Sequence, residues 1–145
     1  MNKYEEYEYW SWFCFRDILY ILEDNKDNFL KIMNNLPFKP EVFPVQVMLA
    51  IVSFGTGSPN IFNAVLNGET GLKVDVTAVC TRTGRFLLHA AAGALNFDMV
   101  DKLMSRRETY YDLRCNQGML PFTYALLAFR FVCHSFSFTL LLLNI

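Results

Sequence analysis

The segment 83–104, TGRFLLHAAAGALNFDMVDKLM, predicts two short helices joined by a turn and so constrains the fold more than any other part of the chain. Gly84 marks a turn before the first helix. The second helix has Asp98 near its positive N-terminal end and Arg106 and Arg107 after its negative C-terminal end, which suits the helix dipole. Two helices this short cannot bury their apolar sides alone, so the pair requires neighbours. The predicted apolar faces are Leu87, Leu88, Ala91 and Ala92, then Phe97, Val100, Leu103 and Met104.

Related segments lie on either side of this helix pair. A second copy follows in NQGMLPFTYA at 116–125, and a partial copy precedes at 61–68. Gly84 and Gly118 are 34 residues apart, against a period of about 33 for the ankyrin repeat. Residues 58–126 resemble that repeat, whose pattern is G-x-T-P-L-H-x-A-A, a turn glycine and V-x-x-L-L. The matching residues are Gly84, Leu88, His89, Ala91, Ala92, Val100 and Leu103, then Gly118, Pro121 and Ala125.

The resemblance implies an all-α fold, a short ankyrin-type helical solenoid of about two to three repeats, preceded by an irregular helical segment. It divides the chain into an N-terminal helical segment with a Pro-rich linker (1–57), the repeat region (58–126) and an apolar tail (127–145). In the first copy, Ser58 is expected to cap a helix through its hydroxyl, and Pro59 suits the first helical position. The partner helix should lie in 69–79, although its β-branched residues and Gly71 are poor helix formers.

The N-terminal segment predicts two helices followed by extended chain. Asp27 is expected to cap the second of these helices. Three prolines in 36–44 exclude a regular helix there. The apolar run 45–54 fits a helix or a strand, since periodicity alone does not distinguish them, and a loop follows at 55–57. The apolar face of the first helix is predicted at Phe15, Ile18, Leu19 and Leu22.

Three positions depart from the repeat pattern. Phe86 and Leu120 stand where the repeat has a capping threonine, and each lost cap costs about 1 kcal/mol. Leu95 stands where the repeat has its turn glycine, and a left-handed leucine costs about 1–2 kcal/mol. Asn96 tolerates that conformation better, which leaves open a shift of the turn by one residue.

The segment from Leu126 to Ile145, which includes the tail, is apolar all round, unlike the amphipathic polar-faced helix expected of a terminal repeat. One interpretation is insertion in a membrane through Phe122–Leu143, because about 20 apolar residues span a bilayer. Arg130 and His134 oppose that interpretation. The alternatives are a truncated or mis-spliced version of a longer protein and an ordinary buried helix.

Composition and side-chain spacing argue against most kinds of chemistry. A net charge of −1 without a basic stripe argues against nucleic-acid binding. Four dispersed cysteines, Cys14, Cys80, Cys115 and Cys133, are interpreted as reduced intracellular thiols, and with two histidines they do not reach metal-ligand spacing. Cys80 or Cys115 with His89 would need an oxyanion-stabilising group that nothing implies. We therefore expect no enzyme, cofactor or metal, and a structural, turn-fixing His89.

Two classes of function remain for a protein of this kind. The joints TAVCTRTGRFLLHAAAGA and LRCNQGMLPFTYA are most similar to plant ankyrin-repeat proteins with a C-terminal membrane region, the PGG domain. The resemblance implies an intracellular protein–protein interaction module in stress or defence signalling, with an unidentified protein partner. The alternatives are a membrane-tethered signalling protein and a fragment without independent function. The candidate partner-binding turn tips are Arg82, Arg85, Arg114, Gln117 and Met119.

Overall fold

Helices form the framework of the protein. The structure, a computed structural model, describes residues 18–36, 40–53, 58–106 and 112–143, with the side chains of the last helix up to Cys133. The expectation of an all-α fold is confirmed for these residues, which contain no β-strand. The helices are α1 (Lys26–Asn34), α2 (Val45–Ser53), α3 (Pro59–Leu66), α4 (Leu87–Gly93), α5 (Phe97–Met104) and α6 (Pro121–Leu143).

Some sequence predictions concern other residues and lie outside the described ranges. They are Phe15 of the N-terminal helical face, the thiol of Cys14, Pro37 in the linker, the loop at 55–57, Arg107 after the second helix of the pair and the side chain of His134.

A left-handed residue separates α1 from the helical residues 18–22. Asp24 has a φ of +50°. Asn25 caps α1, because its side chain accepts a hydrogen bond from the backbone N–H of Asn28 at 3.2 Å. The prediction that Asp27 caps this helix is wrong, since Asp27 lies inside the first turn. There its negative charge still suits the positive end of the helix.

The apolar face predicted for residues 18–22 is wrong at Leu19 and Leu22, although Ile18 is half-buried. Leu19 and Leu22 are 61% and 54% exposed, whereas Ile21 is only 1% exposed. Ile21 belongs to the core together with Phe29 of α1. The turn after this short helix decides which of its faces packs against the core, and the spacing of apolar residues within the helix does not indicate that choice.

Helix α3 begins where the sequence predicts, but a different side chain caps it. The Ser58 hydroxyl donates to the carbonyl of Ile21, and it does not accept the capping hydrogen bond that was expected from a backbone N–H at the start of α3. The carboxylate of Asp24 instead accepts hydrogen bonds from the backbone N–H of Asn60 at 3.0 Å and of Ile61 at 2.9 Å. A carboxylate at this end of a helix is favourable, and it joins the N-terminal segment to the repeat region.

The apolar run at 45–54, for which helix and strand were both possible, forms the helix α2 over its described residues, Val45–Ser53. Its fully buried side chains face α3 and α4. Residues 40–44 before it are not helical, as the prolines predict. In that segment the backbone N–H of Phe43 donates to the carbonyl of Lys73 at 2.7 Å, and Val42 and Lys73 form an isolated parallel bridge.

The partner helix expected in 69–79 does not form. Gly68 and Gly71 have φ values of +78° and +70°, which are left-handed conformations that interrupt a helix. The β-branched residues that follow favour extended chain, and Lys73 pairs with the segment before α2 instead. The segment predicted as the first copy of the repeat therefore contains one helix, α3.

The central helix pair forms with nearly the predicted bounds. Leu95 adopts the left-handed conformation, with a φ of +55°, so the turn does not shift to Asn96. Asn96 caps α5, its side chain accepting from the backbone N–H of Met99 at 3.3 Å. The face predicted for α5 is correct at Leu103, but Met99 is buried beside it while Phe97 is 73% exposed.

Candidate interaction surface

Two turns of similar conformation precede α4 and α6. Gly84 and Gly118 have φ values of +66° and +74°. The backbone N–H of Gly84 donates to the carbonyl of Cys80 at 2.7 Å, and that of Gly118 donates to the carbonyl of Cys115 at 2.8 Å. A turn with a left-handed glycine therefore recurs 34 residues later, although the turn at Gly84 spans one residue more than the turn at Gly118.

The two turns contact each other through Asn116. Its backbone N–H donates to the carbonyl of Thr83 at 3.1 Å, and its side-chain amide donates to the carbonyl of Arg82 at 3.4 Å. A Cβ atom on Gly84 would lie only 2.7 Å from the backbone nitrogen of Asn116, closer than such atoms can approach. Gly84 is therefore required both by its positive φ and by the close approach of the next turn.

His89, in α4, forms hydrogen bonds with the backbone of both turn regions. Its Nδ1 accepts a hydrogen bond from the backbone N–H of Phe86 at 3.2 Å, and its Nε2 lies 3.0 Å from the carbonyl of Met119. The turn-fixing hydrogen bonds expected of this residue are present. The bond to Phe86 also satisfies the N–H of the capping residue, which offsets part of the missing threonine cap. Burial lowers the pKa of His89 below its ordinary value, and the nearby Arg85 charge acts in the same direction.

Tyr124 on α6 connects the turns to the helices. The Arg85 Nε donates to the Tyr124 hydroxyl at 2.9 Å, and the guanidinium carbon lies 4.6 Å from the ring centroid. The His89 ring meets the Tyr124 ring edge-on, with centroids 5.5 Å apart. The Cys115 Sγ lies 3.5 Å from the same hydroxyl. The side chain of Arg85 is therefore held against α6 while its exposed surface faces solvent.

The thiols of Cys80 and Cys115 lie at the bases of the two turns. Burial raises the pKa of the Cys115 thiol, but hydrogen bonds from Tyr124 and from backbone N–H groups outweigh it, so the pKa lies below its ordinary value. For Cys80, the same balance of burial against hydrogen bonds with Thr83 also lowers the pKa. Both nitrogens of His89 already have backbone partners. The histidine is therefore not placed to act as a base toward either cysteine.

The predicted turn tips lie together along one edge of the structure. Arg82, Arg85, Arg114 and Gln117 are exposed, and Met119 is half-buried. Among the residues that the structure describes, none of the three guanidinium groups makes an ion pair with a carboxylate. The Arg114 side chain instead donates to the carbonyl of Gly118 at 2.7 Å, which fixes it across its own turn.

The remaining repeat residues lie in the helices behind the turns. Leu88, Ala91, Ala92 and Leu103 are buried, and Pro121 is buried at the start of α6. An apolar cavity of about 330 Å³, here called the α4–α6 groove, lies among the helices α4, α5 and α6. Its lining residues are Leu88, Ala92, Leu95, Phe97, Val100, Met104, Pro121, Phe122 and Ala125.

Two residues of this surface were not selected from the sequence, Asn116 and Tyr124. Each acts through a partner in the preceding copy of the repeat, Thr83 or Arg85, which is distant in the sequence. The spacing contains a signal that could have identified Tyr124. It lies 34 residues after Ala90, so a large aromatic residue with a hydroxyl stands at the position that corresponds to a small alanine.

The described part of the chain adds two further observations. Its helices include none with the length and apolar character needed to cross a membrane. Within the same residues, no group of three or more His, Cys, Asp or Glu side chains is arranged to hold a metal ion.

A search for similar proteins found no family model, no curated protein and no solved structure that matches this chain.

Proposed function

We propose that this protein is an ankyrin-type repeat module that binds another protein through its turn tips. The observation that carries the proposal is the pair of glycine turns at Gly84 and Gly118, one repeat period apart and hydrogen-bonded side by side through Asn116. Stacked turns of this kind give repeat proteins an extended surface for a partner, formed by side chains that the fold itself does not require.

The charge of this surface indicates the chemistry of the partner. Arg82, Arg85 and Arg114 are exposed at adjacent turns. Two of them are held in place, Arg85 by the Tyr124 hydroxyl and Arg114 by the carbonyl of Gly118. Positioned guanidinium groups bind carboxylates in a bidentate manner and lose little conformational entropy in doing so. The partner is therefore an acidic segment of another protein.

The test measures binding of the full chain to an array of Asp- and Glu-rich peptides by fluorescence anisotropy. The variant Arg82→Glu with Arg114→Glu should weaken binding at least tenfold, about 1.4 kcal/mol. Binding by the unsubstituted protein should also weaken as the salt concentration rises, because exposed charges are screened. Arg85 is left unchanged in this variant, since it also holds Tyr124.

A matched control changes the net charge equally at a distance from the turns. Lys31→Glu with Lys73→Glu replaces two exposed lysines on other elements. This control should bind acidic peptides with the affinity of the unsubstituted protein to within about twofold, which is less than about 0.5 kcal/mol. Equal losses in both variants, or no acidic peptide that binds, would contradict the proposal.

A further inference from the structure

The α4–α6 groove is an open apolar surface of the folded chain. Phe97 and Met104, which belong to the apolar stripe predicted for α5, are 73% and 46% exposed and line this groove. Phe122 of α6, 69% exposed, lies opposite them. The cavity volume of about 330 Å³ is large enough for a few large apolar side chains.

The internal repeat indicates what is absent from this groove. After α4, the left-handed Leu95 and the capping Asn96 reverse the chain, and α5 folds back against α4. The equivalent residues one repeat period later are Phe129 and Arg130, which lie in the middle of the continuous helix α6. The chain therefore does not reverse, and residues 131–143 extend along α6 instead of folding back.

The middle of α6 becomes exposed to solvent beyond its first turns. Pro121 is buried and Ala125 and Ala128 are half-buried, but each residue of 129–133 is exposed. At about 1.5 Å per residue, α6 is roughly 35 Å long, about three times the length of α4. The segment 131–143 contains no Asp, Glu, Lys or Arg. An uncharged helical end and an uncovered apolar groove thus occur in one molecule.

We propose that the segment 131–143 of one copy lies in the α4–α6 groove of a second copy, and reciprocally, so that the protein forms a homodimer by exchange of helix ends. Without a turn near Phe129, the segment cannot return to its own groove, whereas a second copy brings an identical segment. Reciprocal exchange has two-fold symmetry and closes at two copies. It buries both apolar surfaces and leaves the turn tips free, so it is independent of the peptide-binding proposal.

The first test restores the missing turn. Phe129→Gly with Arg130→Asn supplies a glycine for the left-handed position and an asparagine cap, like the Leu95 and Asn96 pair. Light scattering after gel filtration should give twice the mass of one 16.8-kDa chain for the unsubstituted protein. The variant should give the mass of one chain with unchanged helical circular dichroism. A monomeric unsubstituted protein, or a variant that stays dimeric, would overturn the proposal.

The second test blocks the groove without harming the helices. Phe97 and Phe122 are exposed and lie in the first turns of α5 and α6, where a negative charge is favourable. The double substitution of both residues by Glu should therefore leave the fold intact and yield a monomer. Leu22→Lys, at an exposed leucine away from the groove, should remain dimeric.

The outcomes of the second test also separate this proposal from other occupants of the groove. A dimer that survives the Phe97→Glu and Phe122→Glu substitutions, or a Leu22→Lys control that dissociates, would place the contact elsewhere. Open assemblies larger than two copies would overturn reciprocal exchange. The proposal would also be overturned if the unsubstituted protein stayed monomeric in buffer and instead bound neutral phosphatidylcholine vesicles.

Discussion

His89 makes hydrogen bonds that only the neutral imidazole can provide. Its Nδ1 accepts from the backbone N–H of Phe86, so the proton lies on Nε2, facing the carbonyl of Met119. A second proton, on Nδ1, would make that nitrogen a donor facing the N–H of Phe86, so the hydrogen bond between them would be lost. This geometry agrees with the pKa of His89, which burial lowers below its ordinary value of 6.5.

This lowered pKa predicts a pH-dependent stability. Because the unfolded chain binds a proton at His89 more readily than the folded chain, the free energy of unfolding should fall as the pH drops below about 6.5. One proton contributes a slope of at most about 1.4 kcal/mol per pH unit. Urea unfolding between pH 7 and pH 5, compared with His89→Gln, measures it. An identical slope in the variant would mean that His89 is not responsible.

Individual side chains illustrate what a sequence pattern can and cannot predict. The role of His89 was predictable because one of its partners, Phe86, lies three residues away, within the segment that resembles the repeat, although its other partner, Met119, lies 30 residues away. Asp24 caps α3 from a distant part of the sequence and could not be selected, because nothing local distinguishes it from other turn aspartates. Asp24 therefore caps α3 in place of Ser58, which was the predicted cap.

The turn between α4 and α5 contains a strained residue. Leu95 has a φ of +55°, a conformation that costs a β-carbon-bearing residue about 1–2 kcal/mol. Leu95→Gly should therefore raise the melting temperature by about 2–6 °C. Leu95 also lines the α4–α6 groove, so glycine removes apolar contacts as well. Differential scanning calorimetry of both proteins measures the net change.

A matched variant separates the two effects at this turn. Leu95→Ala removes the same apolar contacts but keeps a β-carbon and its strain, so it should not be more stable than the original protein. If alanine stabilised the protein as much as glycine does, left-handed strain would not be the cause. A glycine variant no more stable than the alanine variant would show that the turn accepts leucine without left-handed strain.

The helices were predicted where turn chemistry and periodicity agree, and missed where they conflict. The bounds of α4 and α5 follow from Gly84, the apolar spacing and Asn96. Residues 69–79 match a helix only by the repeat period, and two left-handed glycines override that expectation. The α6 helix continues across the predicted boundary between 126 and 127, because no glycine, asparagine or proline lies near it to end a helix.

One apolar core connects the N-terminal segment with the repeat region. Buried residues from Ile21 to Leu103 form a single contact cluster that includes helices α1 to α5. The sequence predicted an interior for each helix but not this continuity, since α2 was undecided and the contacts of Ile21 are distant in sequence. A continuous core favours one cooperative unfolding transition over separate transitions for 1–57 and 58–126.

This continuity predicts that damage at either end of the core affects the whole protein. Ile51 in α2 and Leu103 in α5 are both 0% exposed. Replacing either by alanine should lower the free energy of unfolding by about 2–5 kcal/mol in a single urea transition, measured at one protein concentration by circular dichroism. Leu22→Ala, at an exposed site, should change it by less than about 0.5 kcal/mol. Two transitions, with Leu103→Ala moving only one, would show that the two segments fold independently, because a shared core transmits the loss of either side chain to both.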